Sequence, residues 1–185
     1  GTMLQDEAFH FLRLGSFLER ADNTARLLDV KFHAVQSEYF GAGQNQSQSQ
    51  GQGAEQTQGN GKDLEFDFYH WSAILRSVSG FEVYRKVYRN VITPARVAEL
   101  LILRADMPRS LAACMEEVVK NLAAVANDQS SDTLRLAGRL RADLQFGRID
   151  EILATGLHAY LTQFLERIST LGFGVSRDFL VPVSA

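Results

Sequence analysis

The sequence predicts an all-α fold: an antiparallel helical bundle of about five to seven helices with one long disordered Gln/Gly loop. Three observations predict it. Apolar residues recur at spacings of three and four along most of the chain, which draws one buried stripe per helix at about 100° per residue. Only three prolines occur in 185 residues, so long helices are permitted. No convincing period-two alternation and no hairpin turn between apolar runs points to strands. A repeat solenoid would also be helical, but no steady period of roughly 20–50 residues is present.

The elements follow in order. From about Asp6 to Glu38 the stripe is Phe11, Leu14, Phe17, Leu18, Ala21, Ala25, Leu28 and Phe32. Residues 41–61 then read GAGQNQSQSQGQGAEQTQGNG, with seven Gln, six Gly and one charge, Glu55. Such a segment buries too little apolar surface to offset its ordering entropy, so it is expected as a flexible loop. A second helix is expected from about Asp63 to Val78, ended by Ser79-Gly80, and a short one carries Phe81, Tyr84 and Tyr88. Thr93-Pro94 reads as a cap with proline at the first helical position, leading to Val97, Leu100, Leu101 and Leu103. Asp106 and Pro108 are expected to open the next helix in the same way, with the stripe Leu111, Cys114, Met115, Val118, Leu122 and Val125. Ser131 is expected to cap a helix through Leu136, Leu140 and Leu144 that stops at Gly147. Asp150 and Glu151 open one last long helix, where their charge suits the positive N-terminal end, with the stripe Ile152 to Leu171.

Composition narrows function less than fold. The apolar share is 45% and the charged share 22%, ordinary for a globular domain. The single cysteine, Cys114, excludes a disulfide framework and a Cys-rich zinc site. A net charge of −3 argues against nucleic acid as a bulk partner. No run approaches the roughly 18 apolar residues of a membrane span, and no signal-peptide pattern is visible. Tyr84-Arg85-Lys86-Val87-Tyr88-Arg89 mixes basic and aromatic residues but reads as one amphipathic helix with solvated charges.

The densest polar cluster lies on the first helix, from Gly15 to Asp29. On a helical wheel Glu19, Asp22, Arg26 and Asp29 share one face, and Arg13, Arg20, Thr24 and Lys31 a second. As a solvated ion-pair ladder each pair would contribute only about 0.2–0.5 kcal/mol. Apolar Leu12, Leu27 and Val30 outside the main stripe point instead to a central helix whose charges are partly buried and need partners. The chain holds fifteen arginines against four lysines, and arginine grips carboxylates and phosphates in a two-pronged geometry that lysine cannot copy. Glu7-x-x-His10 and Asp67-x-x-His70 each place a carboxylate and a histidine one turn apart, the spacing used in di-iron bundles, with Asp67 departing from the usual Glu. No glycine-rich phosphate loop, nucleophile elbow or metalloprotease motif is present, and no motif identifies a catalytic residue.

The stretch Phe11-Leu12-Arg13-Leu14-Gly15-Ser16-Phe17-Leu18-Glu19-Arg20-Ala21-Asp22-Asn23-Thr24-Ala25-Arg26-Leu27-Leu28-Asp29 resembles the signature of the bacterial alpha-E domain family, named for its Glu-Arg pair. Further segments resemble it in order: Tyr69 to Arg76, Leu103 to Ser110 with Cys114, and Ile149 to Leu153 with Gly156-Leu157-His158. The resemblance spans nearly the whole chain outside the Gln/Gly loop. Family members are typically longer, so residues 1–185 are expected to form a single alpha-E-like domain corresponding to a C-terminal half. Members of this kind are encoded beside, or fused to, circularly permuted ATP-grasp proteins and transglutaminase-like proteases. The resemblance therefore implies a bacterial, cytoplasmic setting of amide-bond formation, in which nucleotide and magnesium belong to the ATP-grasp partner and this chain needs no cofactor.

The resulting expectation is a non-enzymatic partner or substrate-holding module. Arg13, Glu19, Arg20, Asp22 and Arg26 are its candidate binding residues, with Arg104, Asp106 and Arg109 next. Two alternatives stand beside it: a metal-carboxylate bundle enzyme using Glu7, His10, Asp67 and His70, and a structural oligomerisation module such as a homodimer.

Overall fold

The computed structural model describes residues 6–42, 59–89 and 91–180, with side chains for 6–32, 68–89 and 91–179. Among the described residues there are eight α-helices and no strand: α1 (Glu7–Ala42), α2 (Gly59–Ser77), α3 (Phe81–Tyr88), α4 (Pro94–Leu103), α5 (Leu111–Ala124), α6 (Ser131–Phe146), α7 (Ile149–Thr155) and α8 (Leu157–Val175). A π-helical turn, Ser176–Leu180, follows α8. The expected Gln/Gly loop 41–61 is entered and left by helix, since α1 runs to Ala42 and α2 starts at Gly59. Residues 43–58 of that loop lie outside the described residues.

Four helices build the bundle. Contacts along α1 and α5 run in opposite order: His10 meets Asn121, Arg13 meets Glu117, and Thr24 meets Arg109 just ahead of α5. The pair is therefore antiparallel. The same reasoning pairs α1 with α8, through Phe11–Phe179 and Asp29–His158. It pairs α6 with α8, through Asp143–Arg167 and Thr133–Asp178. The long α1, about 54 Å at 1.5 Å per residue, is the central strut and touches α5, α8 and α4.

Its buried stripe explains the position. Leu14, Ala21, Ala25 and Leu28 are at most 1% exposed, and the two alanines let α5 approach closely. On α5 the facing residues are Leu111, Cys114, Met115, Val118 and Leu122, all fully buried. Each large apolar side chain hidden this way contributes about 1.5–3 kcal/mol before entropy is counted. Trp71 of α2 is fully buried and packs on Phe32 at 4.5 Å between ring centroids.

Several helix ends fall where the residues direct them. The Asp6 carboxylate accepts from the Phe9 amide at the start of α1, and Thr93 Oγ1 accepts from the Arg96 amide with Pro94 at the first position of α4. At the end of α2 the left-handed residue is Ser79 (φ 55°), and not Gly80. Gly80 sits in a tight place, because a Cβ there would come 3.0 Å from Met107 Cε and the end of that side chain would have to shift.

Three expectations need correction. The helix assigned to Asp106 and Pro108 starts at Leu111, because Ser110 is the residue whose hydroxyl caps it, accepting from the Ala113 amide. Ser131 is the first residue of α6 and does not cap it; Ser130 precedes it, and its hydroxyl closes the Asn127 turn instead. The last long helix is two, α7 and α8, broken at Gly156, whose φ of 103° no L-residue adopts easily. That break makes eight helices out of seven.

Candidate functional site

Three anchored pieces of backbone surround a cleft of about 520 Å³. Its long wall is one face of α1, where Ser16, Glu19, Arg20, Asn23, Thr24 and Leu27 follow at helical spacing. Ser77 and Val78 at the end of α2 form the opposite rim, and Arg109 enters from the turn between α4 and α5.

The turn that carries Arg109 is held at four points. Arg104 grips Asp106 with two prongs, Nε to Oδ1 at 2.9 Å and the terminal nitrogen to Oδ2 at 2.6 Å. The fully buried Ser110 donates from Oγ to the Arg104 carbonyl at 2.6 Å. Met107 is 1% exposed against Gly80. Thr24, itself buried, donates from Oγ1 to the Arg109 carbonyl at 3.0 Å. Arg109 is thus presented by a rigid frame, with its own side chain exposed.

The eight candidate binding residues divide into two groups. Arg13 bonds Glu117 on α5 at 2.7 Å, and that hydrogen bond holds the Glu117 carboxyl below its ordinary range. Arg26 bonds Asp22 one turn away at 2.7 Å, and Arg104 bonds Asp106, whose carboxyl is lowered by that contact. These five residues neutralise charge within the protein. Glu19, Arg20 and Arg109 form no ion pair among the described residues, and all three line the one cleft. The face that Glu19 shares with Asp22, Arg26 and Asp29 divides by partner. Asp29 reaches across to His158 on α8, Asp22 and Arg26 hold each other, and Glu19 sides with Arg20. Adjacent helix positions are about 100° apart, but a concave wall collects both long side chains.

The Arg20 guanidinium stands 4.9 Å from the Phe17 ring centroid, a cation–π contact that steers it without neutralising it. Beneath the site lies Cys114, fully buried on α5. Burial pushes its thiol up to about 11, against the opposing pull of Arg20 and Arg109. Both guanidinium charges are thus felt at one sulfur, and the thiol is inert near neutral pH. Ser16, Asn23, Leu27, Ser77 and Val78 complete the lining and were missed by sequence reasoning. For Ser16, Asn23 and Leu27 the signal existed, since they step along α1 with Arg20 at spacings of four, three and four.

Two other sequence candidates, His10 and the basic aromatic segment from Tyr84 to Arg89, meet partners within the protein. Asn121 donates its amide nitrogen to the Glu117 carbonyl, so its Oδ1 accepts from His10 Nδ1 at 2.9 Å. That bond commits one nitrogen of the proposed metal ligand His10. Among the described residues no group of three His, Cys, Asp or Glu side chains could hold a metal ion; the Asp67 side chain lies outside them. In the basic aromatic segment, Tyr84 donates to the Val91 carbonyl and Tyr88 to Glu99, both at 2.7 Å. Their rings brace α3 against α4. No helix among the described residues is long and apolar enough to cross a membrane.

No curated protein and no solved structure matches the chain. One family model does, over residues 1–180: Alpha-E, a predicted alpha-helical domain with a conserved ER motif. With that match across nearly its whole length, the chain belongs to the Alpha-E family.

Proposed function

We propose that the chain is a non-catalytic module that holds a carboxylate-bearing substrate or partner segment for an ATP-grasp amide- or peptide-ligase system. One observation carries the reading. Arg20 from α1 and Arg109 from a braced turn line one cleft, and neither is neutralised by an ion pair among the described residues. Five other charged candidates pair within the protein, so of the candidate arginines these two are left for an incoming anion. Their planar forks suit a carboxylate, and the fixed frame limits the ordering cost of binding. The volume falls within the roughly 300–1,000 Å³ usual for small-molecule sites.

The ligase system, with a circularly permuted ATP-grasp protein and a transglutaminase-like protease as partners, is what the family resemblance supports. The bacterial cytoplasm is the matching compartment. Nucleotide and magnesium belong to the partner in this reading. The test is co-purification of the tagged full-length protein with the ATP-grasp protein from the native host. Wild type recovers it at near-equal amounts. Arg20→Ala loses it, or loses substrate-dependent turnover of the complex, while far-UV circular dichroism stays unchanged. An Arg20→Ala variant that keeps the partner and turnover, and only melts earlier, makes Glu19-Arg20 a structural pair and ends the proposal.

A further inference from the structure

The cleft holds two kinds of charge, and they do not cancel. Glu19 lies on its long wall beside Arg20, and Arg109 enters from the α4–α5 turn. Elsewhere on this surface opposite charges close on each other, as in Arg26–Asp22, Arg104–Asp106 and Arg148–Asp150, each at 2.6–2.7 Å. Glu19 forms no such bond with either arginine among the described residues. A ligand with one negative and one positive end would satisfy both poles. The rest of the lining fits a small organic ligand: Leu27 and Val78 supply apolar surface, and Asn23 and Ser77 supply neutral hydrogen-bonding groups.

We infer that the cleft binds a zwitterion of the α-amino-acid class with an aliphatic side chain. Arg20 and Arg109 take its carboxylate, Glu19 takes its ammonium, and Leu27 with Val78 contacts its side chain. The inference rests on the carboxylate-holding reading of the same cleft and adds the ammonium requirement to it.

Isothermal titration with three probes separates the two. L-leucine carries both charges, N-acetyl-L-leucine only the carboxylate, and L-leucinamide only the ammonium. L-leucine is expected to bind at least about tenfold more tightly than either single-charge probe, since each lost charged hydrogen bond in a partly screened cleft costs about one power of ten. Glu19→Gln should lower the affinity for L-leucine about tenfold and leave that for N-acetyl-L-leucine unchanged. Arg109→Ala should weaken both carboxylate probes. Glu19 and Arg109 are exposed, so both variants keep the fold, and circular dichroism checks it. If N-acetyl-L-leucine binds as tightly as L-leucine and Glu19→Gln changes nothing, the zwitterion inference falls and the carboxylate reading stands. If neither carboxylate probe binds the folded protein, both fall.

Discussion

Replacing Ser110 by alanine should destabilise the protein by about 2 kcal/mol, and the figure follows from two bonds made by one hydroxyl. Ser110 Oγ accepts from the Ala113 amide at 3.0 Å, capping α5, and loss of such a cap costs about 1 kcal/mol. The same Oγ donates to the Arg104 carbonyl at 2.6 Å. That carbonyl keeps a second donor, the Met107 amide at 3.2 Å, so it is not orphaned. The loss is therefore one net hydrogen bond, about 1 kcal/mol, and excludes the larger penalty of an unsatisfied buried group. Ser110 is fully buried, so water cannot replace the hydroxyl without opening the turn.

Urea unfolding followed by far-UV circular dichroism reads this as a lower midpoint at unchanged slope. Ser131→Ala is the matched control. Ser131 is exposed and caps nothing, so its change should stay within about 0.5 kcal/mol. A Ser110→Ala loss below about 0.5 kcal/mol, or equal to that of Ser131→Ala, refutes the view that this hydroxyl joins the turn to α5. Because the turn presents Arg109, Ser110→Ala should also weaken carboxylate binding, but less than Arg109→Ala does.

Three more outcomes follow from the geometry. Gly156→Ala forces an L-residue to φ 103° between α7 and α8 and should cost about 1–3 kcal/mol in the same unfolding assay, with no steric clash to blame. Gly174→Ala would drive a Cβ into Thr133 Oγ1 where α8 crosses α6, so thermal melting should report a loss of about 1–3 kcal/mol from the forced separation. Burial opposes ionisation of Asp178, but hydrogen bonds from Arg177 and Thr133 outweigh it and hold the carboxyl below its ordinary value. A lowered folded-state value means stability that is present above the unfolded carboxyl's range and is lost as pH falls through the folded value. Wild type should therefore lose more stability than Asp178→Asn between about pH 5 and pH 2, read from urea midpoints across that range.

How much of this was legible in the sequence differs by element. Thr93-Pro94 announced α4 because cap and proline act on their own few residues. The α5 start was misplaced because Asp106 and Pro108 are sound local signals, yet the Asp106 carboxylate is already held by Arg104 and the chain turns once more before Ser110. The α7–α8 break was hidden because Leu153 and Leu157 sit four apart, so the apolar period runs through Gly156 without a fault. Only the backbone angle distinguishes one long helix from two.

The binding residues show a different limit. The Glu19-Arg20 helix stands out by charge density, and Asp22–Arg26 pairs at a spacing that a helical wheel displays. The bond that removes Arg13 from the list reaches Glu117, 104 positions away, and no local pattern encodes it. Sequence alone therefore ranks Arg13 and Arg20 alike, although one is consumed by α5 and the other lines the cleft. Arg109 gives the converse case. Two residues of its turn, Arg104 and Asp106, are as charged as it is, and their mutual bond leaves Arg109 to enter the cleft beside Arg20. Which arginine is left over is decided by which carboxylates the fold brings near. That makes Arg104→Ala the discriminating substitution against Arg109→Ala. If pairing selects the site, Arg104→Ala loosens the turn and weakens carboxylate binding only through stability, whereas Arg109→Ala weakens binding in a protein that unfolds at the wild-type midpoint.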